Sequence, residues 1–233
     1  MSVTPLLADA RSSFVYWPWV RDHLGDIWTR TVEHVQLTLI AVGVGFAISA
    51  VLAVIAVRFR WTYGPITWIG SILYTIPSLA LFGLLIPFTG LGLLTAEIAL
   101  VSYTILIFVR NIVAGLDGVP RAVREAADGM GYTPLRRLWQ VELPLALPTI
   151  VAGIRIATVT VIGLVTITAL IGNGGYGALI EDGLSRRFST PIVVGTVLSV
   201  VLAIVADVLL ALLERALTPW RRPRQLRSAR AAP

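Results

Sequence analysis

Residues able to catalyse a reaction are sparse in this chain of 233 residues, and they do not cluster. The two histidines, His23 and His34, precede or open the first long apolar run, and no His-Glu-x-x-His pattern contains them. Cysteine is absent, which excludes thiol chemistry, and no Gly-x-x-x-x-Gly-Lys-Ser/Thr loop is present to hold a nucleotide. An enzyme working at membrane depth needs clustered nucleophiles, bases or metal ligands. The residue types therefore disfavour an enzyme and predict that this chain binds no metal and no nucleotide.

The apolar content is too high for a soluble domain. Hydrophobic residues make up 56% of the chain and charged residues only 14%, so little polar surface would remain to face water. Several runs reach the roughly 20 apolar residues that cross a bilayer core. We therefore predict an all-α polytopic membrane protein with five transmembrane helices, at residues 35–57, 66–88, 91–113, 146–171 and 192–213.

Arginine is sorted along the chain, and all nineteen basic residues are arginines. One set of flanks holds Arg58 and Arg60, the segment between spans three and four, and the tail 219–233, whereas the opposite flanks mix both signs. Basic flanks stay on the cytoplasmic side. We therefore expect residues 1–30 outside, with an interfacial helix, and residues 31–218 as the transmembrane domain. The basic tail has the composition of a nucleic-acid ligand, but attraction to anionic lipid is the favoured interpretation, with no nucleic-acid partner.

The polar segment 120–144 is predicted to lie in the cytoplasm between spans three and four. Pro120 suits the first position of a short helix, and glycines at 129 and 131 suit its end. Thr133 can cap a second helix that Pro144 ends before span four. Two short capped helices fit a membrane-surface loop lying on lipid, and they equally fit a rigid projection that enters a partner's groove.

The residues of this segment also carry a resemblance to a known family. The stretch "EAADGMGYTPLRRLWQVELP" resembles the EAA loop of permease subunits of ABC importers, whose pattern is Glu-Ala-Ala, three residues, Gly, nine residues and Ile-x-Leu-Pro. Val141 replaces the isoleucine, and the remaining positions match: Glu125, Ala126, Ala127, Gly131, Leu143 and Pro144.

The resemblance implies a coupling role for this loop. In the family, the loop sits in a cleft of a separate ATP-hydrolysing subunit, so ATP and Mg²⁺ would be held by that partner and not by this chain. The residues expected to carry coupling are Glu125, Ala126, Ala127, Gly131, Leu135, Arg136, Arg137, Leu143 and Pro144. The resemblance also implies a bacterial plasma membrane, a second permease subunit that is identical or paralogous, a cytoplasmic ATP-binding dimer, an extracytoplasmic binding protein and membrane lipids.

Other stretches are similar to one branch of this family, the permeases for quaternary-ammonium osmoprotectants. The segment "ALIGNGGYGALI" at 169–180 carries much of that likeness, which extends over residues 30–215. Glycine betaine, choline or carnitine are the expected cargo, with other amino-acid betaines or amino acids such as methionine as the alternative. A stand-alone channel or secondary carrier would leave the EAA spacing unexplained.

Several residues within the spans are candidates for the substrate path. Pro77 is either a hinge or a harmless kink, the glycines after span four form either an outer gate or a plain turn, and tyrosine rings attract a quaternary ammonium or simply pack. The candidate path residues are Tyr74, Pro77, Ser78, Tyr103, Gly172, Gly174, Gly175, Tyr176 and Gly177.

Two charged residues lie at similar depth within spans four and five. Arg155 and Asp207 are each roughly 10–15 Å from the cytoplasmic end of their helix at 1.5 Å per residue. Lone charges are expensive in a bilayer. We therefore predict that the two form a structural ion pair, or that they pair with groups of a neighbouring subunit.

Overall fold

The computed structural model of the chain describes residues 15–172 and 174–221. The first fourteen residues of the predicted outer segment and residues 222–233 of the predicted basic tail lie outside the described residues. Within the described part, regular secondary structure is entirely helical. The helices are α1 Trp17–Asp22, α2 Leu24–Arg58, α3 Tyr63–Thr75, α4 Ser78–Thr89, α5 Leu93–Asp117, α6 Arg121–Gly129, α7 Pro134–Arg137, α8 Leu143–Val165, α9 Tyr176–Arg186 and α10 Ser189–Leu217.

Four helical stretches are long and apolar enough to cross a membrane. They are Leu24–Arg58, Leu93–Asp117, Pro134–Ile171 and Ser189–Leu217. The all-α polytopic prediction is therefore confirmed. The single helix predicted at 66–88 is wrong, because α3 and α4 meet there at an angle of 100°. A count of five spans holds only if this bent pair is taken as one crossing.

The bend between α3 and α4 has a local cause and a tertiary support. Proline disfavours the helical conformation of the residue before it and has no N–H of its own to donate. Ile76 and Pro77 accordingly take extended ψ values of 126° and 133°. The Tyr103 hydroxyl of α5 donates to the Ile76 carbonyl at 2.5 Å. This hydrogen bond satisfies the Ile76 carbonyl, which has no helical partner. The helix is therefore fully interrupted at Pro77, whereas a mild kink was one of the predicted outcomes.

Helices α2, α5 and α8 form the centre of the bundle. Their crossings use small residues, which let helix backbones approach closely in a membrane. A Cβ on Gly45 of α2 would lie 1.9 Å from Thr104 Oγ1 of α5, and a Cβ on Gly153 of α8 would lie 2.5 Å from Asn111 Cβ. One apolar cluster centred on Phe82 and Leu100 and a second centred on Phe108 and Ile112 fill the space between the helices.

We call the end of the bundle that carries residues 120–144 the loop end. The C-termini of α2 and α5 meet at this end. Arg60, just after α2, donates hydrogen bonds from Nη1 and Nη2 to the two carboxylate oxygens of Asp117. One of these hydrogen bonds, from Nη1 to Oδ2, measures 2.8 Å. The N-terminus of α2 and the glycine-rich segment lie at the opposite end.

Candidate functional site: the coupling loop and the transmembrane path

Helix α6 begins one residue later than predicted and ends as predicted. Pro120 is its N-cap, with φ −58° and ψ 138°, and does not occupy the first helical position. At the other end, Gly131 has φ +78°, which favours glycine. The Tyr132 N–H donates to Ala127 O at 3.1 Å and the Gly131 N–H to Asp128 O at 3.0 Å. This pair of bonds is a Schellman motif, which closes the helix with a defined direction for the following chain.

Helix α7 starts as predicted but does not stop at Pro144. The Arg136 N–H donates to Thr133 Oγ1 at 3.3 Å, so Thr133 is the N-cap. The predicted end at Pro144 is wrong, because one helical run extends over Pro134–Ile171. The reason is a π-helical turn at Leu138–Glu142, in which the Leu143 N–H donates to Leu138 O. Proline has no N–H, so Pro144 cannot donate the usual backbone hydrogen bond of an α-helix. The wide π-helical turn lies directly before Pro144 and interrupts the regular hydrogen-bond pattern there, so the helix continues past the proline.

A buried carboxylate at Glu142 holds the loop together. Arg137 donates to it from Nε at 2.7 Å, and Arg137 Nη1 also donates to both carboxylate oxygens of Asp128 in α6. Arg124 Nε lies 3.7 Å from the second Glu142 oxygen, and Arg124 Nη2 donates to the Leu116 carbonyl of α5. These contacts fasten α6, the π-helical turn and the end of α5 to one another. The loop is therefore a single stiff unit.

The stiff unit presents apolar side chains to its surroundings. Met130 is 68% exposed, Leu135 67% and Trp139 63%, and Ala126 is exposed as well. We call these four residues the coupling surface. Exposed apolar groups on an otherwise charged segment are typical of interaction sites, and Trp139 additionally lines an apolar cavity with Phe46 and Val51 of α2. All four residues lie at the loop end of the bundle.

The nine residues predicted for coupling fall into two groups. Glu125, Ala126, Gly131, Leu135 and Arg136 are exposed, whereas Ala127, Arg137, Leu143 and Pro144 are wholly or partly buried. Within the exposed group, Glu125 pairs with Arg121 at 2.8 Å. The Arg136 guanidinium lies 4.4 Å from the centre of the Tyr132 ring. The first group can touch a partner and the second shapes the loop.

At the opposite end, the glycine-rich segment is built for close approach. Gly172 and Gly175 have φ values of +84° and +44°. A Cβ on Gly177 would lie 2.0 Å from the Thr166 carbonyl oxygen, and a Cβ on Gly175 would lie 2.7 Å from His34 Cβ. Gly174 is less tight, with the nearest atoms at 3.0 Å. Gly175 thus packs closely against α2, and Gly177 packs closely against the end of the Pro134–Ile171 run, whereas a Cβ on Gly172 would meet open space.

His34 is a site residue that the sequence analysis weighed only as a catalyst. It is fully buried, its Nε2 lies 3.0 Å from the Ile162 carbonyl, and the Tyr176 N–H donates to its Nδ1 at 3.3 Å. The proton must sit on Nε2 for both bonds to form. His34 therefore ties α2 to α8 and to the start of α9. A polar residue at the opening of an apolar run was the available signal.

The three candidate tyrosines differ in what they can offer a cation. Tyr103 and Tyr176 are buried. The Tyr103 hydroxyl donates to the Ile76 carbonyl, and the Tyr176 hydroxyl donates to Thr31 Oγ1 at 3.1 Å. Tyr74 is 42% exposed and meets the Tyr103 ring edge-on at 6.1 Å. Ser78 is the first residue of α4, next to the break at Pro77. Only Tyr74 among the three keeps a substantially accessible ring.

Arg155 of α8 and Asp207 of α10 lie together. The guanidinium donates from Nε and Nη2 to the two carboxylate oxygens at 2.8 and 2.9 Å, a bidentate geometry. Glu214, which was not predicted from the sequence, also takes part, because it accepts a hydrogen bond from Arg155 Nη1 at 3.5 Å. The three charges join the last long helix to the central bundle.

Comparison with protein families and curated proteins gives concordant matches. A family model described as binding-protein-dependent transport system inner membrane component matches residues 42–219. An osmoprotectant import permease protein of Salmonella typhimurium, OsmW, is 41% identical over 206 residues, covering 86% of this chain and 96% of that protein. A choline transport system permease protein of Bacillus subtilis, OpuBB, is 40% identical over 195 residues, covering 84% and 90%.

Solved structures share the same fold. An inward-facing MetNI methionine ABC transporter is 26% identical, with a TM-score of 0.72 over 82% of this chain and 96% of that one. An amino acid ABC transporter is 18% identical, with a TM-score of 0.71 over 87% and 99%. The second likeness is informative for the fold alone.

Proposed function

The chain belongs to the family of binding-protein-dependent transport system inner membrane components, and on that premise we propose that it is the permease subunit of an ATP-driven importer of quaternary-ammonium osmoprotectants. The observation that carries the substrate class is the identity of 41% and 40% with permeases named for osmoprotectant and choline transport, across nearly their whole length. Proteins of this family are transport components of the inner membrane and not enzymes.

Energy enters through the loop end. We assign ATP hydrolysis to a separate cytoplasmic subunit that receives the coupling surface, and this chain supplies no residue to that reaction. The contacts of Glu142 with Arg137 and Arg124 make the loop rigid, so a displacement of α6 is passed to α5 and to the Pro134–Ile171 run. Rigid elements of this kind convert a small shift at one site into rearrangement of packed helices.

The path itself is assigned to the break in the second crossing and to the glycine-rich segment. Pro77 separates α3 from α4 at a bend of 100°, and we assign the hinge of the path to residues 76–77. Gly175, packed against His34 of α2, and Gly177, packed against Thr166, form a closely packed stop that the hydrogen bond of His34 to Tyr176 supports. Opening of this stop in one state and closing in another is the alternation that transport requires.

The proposed assembly has two permease subunits around a two-fold axis, two ATP-binding subunits and an extracytoplasmic binding protein. We place the loop end in the cytoplasm because arginines gather there, among them Arg60, Arg124, Arg136 and Arg137. This puts the N-terminus outside and the C-terminus inside. The chain needs no cofactor of its own in this scheme.

Methionine-like cargo is a second candidate, because a methionine transporter is 26% identical and shares the fold. Reconstitution of the chain with its ATPase subunit and binding protein in proteoliposomes separates the two. The proposal predicts ATP-dependent uptake of labelled choline, glycine betaine or carnitine and none of methionine. Uptake of methionine without any quaternary ammonium would contradict the substrate class, and absence of ATP-dependent uptake of either would contradict the importer assignment.

A further inference from the structure

Glu97 of α5 has an unusual environment. Both of its carboxylate oxygens are shut off from solvent, and neither has a hydrogen-bond partner among residues 15–172 and 174–221. By contrast, Asp207 is matched by the two nitrogens of Arg155. Desolvating an unmatched carboxylate is costly, and ionisable residues at membrane depth are retained mainly for function. Glu97 thus lacks a hydrogen-bond partner among the residues that the structure describes.

The position of Glu97 relates it to a cavity at the end opposite the loop. A cavity of about 230 Å³ lies there between α2, the start of α5 and the glycine-rich segment. Leu93 lines this cavity and lies four residues before Glu97, so the two share one helix face about 6 Å apart along the axis. Side chains on a helix lean toward its N-terminus, which here is the direction of Leu93 and the cavity.

The neighbours of Glu97 along α5 are apolar. Ala96, Leu100 and Val101, its neighbours on α5, are buried in the same cluster as Leu37 of α2, and Leu37 also lines the cavity. Gly172 and Gly174 form part of the opposite wall. Arg30, the basic residue lining the cavity, is engaged with Glu33 at 2.9 Å. Glu97 itself does not line the cavity but lies one helical turn beyond Leu93, and the lining also includes Gln36 and Glu33, the partner of Arg30.

These features fit one kind of ligand. A quaternary ammonium has no N–H, so it is recognised by opposite charge and apolar contact and not by a set of hydrogen bonds. We propose that Glu97 is the counter-charge that receives the cationic head of the cargo as it leaves the cavity for the membrane interior. This assignment rests on the proposed function and deepens it by naming a specificity-determining residue.

The test uses the complete complex with its binding protein in proteoliposomes. Uptake of labelled choline and glycine betaine is compared for the wild type, Glu97→Gln, Glu97→Asp and the control Glu181→Gln, an exposed carboxylate on α9. We expect Glu97→Gln to lower uptake at least tenfold while the yield of complex and the ATP hydrolysis stimulated by the loaded binding protein stay within twofold. Glu97→Asp should retain part of the uptake, and Glu181→Gln should match the wild type.

Two results would overturn this role for Glu97. Uptake by Glu97→Gln within twofold of the wild type would show that the charge is not used. Joint loss of assembly, ATP hydrolysis and uptake in both Glu97→Gln and Glu97→Asp would show a structural partner in a neighbouring subunit. A wild-type complex that imports another cargo but neither trimethylammonium compound would instead contradict the proposed substrate class, before any variant is compared.

Discussion

Arg137 donates a hydrogen bond to the buried carboxylate of Glu142 at 2.7 Å, and the same guanidinium reaches Asp128 on the neighbouring helix. One arginine thus joins α7, the π-helical turn and α6. Because Arg124 approaches the other Glu142 oxygen and also holds the end of α5, the loop cannot move without α5. This relationship is the physical basis of the coupling role that we propose.

Neutralising Glu142 should uncouple the loop. Glu142→Gln removes the negative charge that faces Arg137 and Arg124. A hydrogen bond to a charged group contributes about 2 kcal/mol to stability. We expect ATP-driven uptake to fall at least tenfold while the chain still inserts into the membrane, measured by transport and by yield in membranes. Arg186→Gln is the control, since it removes an exposed ion pair with Asp182 at the opposite end and should have little effect. Unchanged uptake in Glu142→Gln would contradict the rigid-loop account.

The two glycines that flank Met130 should respond differently to alanine. Gly131 has φ +78°, a conformation in which a residue with a Cβ is strained by about 1 kcal/mol or more, although the Cβ would have no atom within 4 Å to clash with. Gly129 ends α6 with an ordinary backbone and open space, so alanine fits there. We predict a lower thermal unfolding temperature of the purified chain for Gly131→Ala and little change for Gly129→Ala. Equal temperatures for the two variants would show that the Schellman motif is not maintained.

Close packing predicts that Gly177 cannot carry a side chain. Its Cβ would lie 2.0 Å from the Thr166 carbonyl, and a backbone oxygen cannot move aside as a flexible side chain can. Gly177→Ala should therefore exceed the usual overpacking cost of about 1–3 kcal/mol and reduce the amount of folded chain in membranes. Gly163→Ala, with nothing within 4 Å of its Cβ, is the matched control. A well-folded Gly177→Ala would refute the observed approach of α9 to the end of the α8 run.

The ion pair between α8 and α10 predicts partial rescue by charge reversal. Arg155→Asp places three acidic groups together, with Asp207 and Glu214, and should lower the yield of folded chain sharply. The double variant Arg155→Asp, Asp207→Arg restores an opposite pair and should recover part of the yield. Asp207→Asn should be milder than Arg155→Asp, because Glu214 remains 3.5 Å from the guanidinium. A double variant no better than the single one would indicate that the pair does not join these helices.

Features with local causes were predictable from the sequence. Apolar run length located the four long spans, and the Thr133 cap and the Gly131 stop follow from the properties of single residues. The pairing of Arg155 with Asp207 joins residues 52 positions apart and was predictable for a different reason, the cost of lone charges at equal depth.

Features that depend on distant uncharged partners were not predictable. The kink expected at Pro77 became a 100° break that Tyr103, 26 residues further on, supports by bonding to Ile76. Pro144 was expected to end a helix, yet the helix continues because a π-helical turn precedes the proline, which has no N–H to donate. His34 finds Tyr176 at a separation of 142 residues, and no periodicity in either segment indicates that contact.

The most direct test of coupling uses the absence of cysteine from the chain. Single cysteines replacing Met130 or Leu135 on the coupling surface, or Leu184 at the opposite end as control, are crosslinked in the assembled complex with and without ATP. The account predicts that positions 130 and 135 crosslink to the ATPase subunit, with yields that change on adding ATP, and that position 184 does not. Positions 130 and 135 reacting only with lipid in a complex that hydrolyses ATP and transports would contradict it.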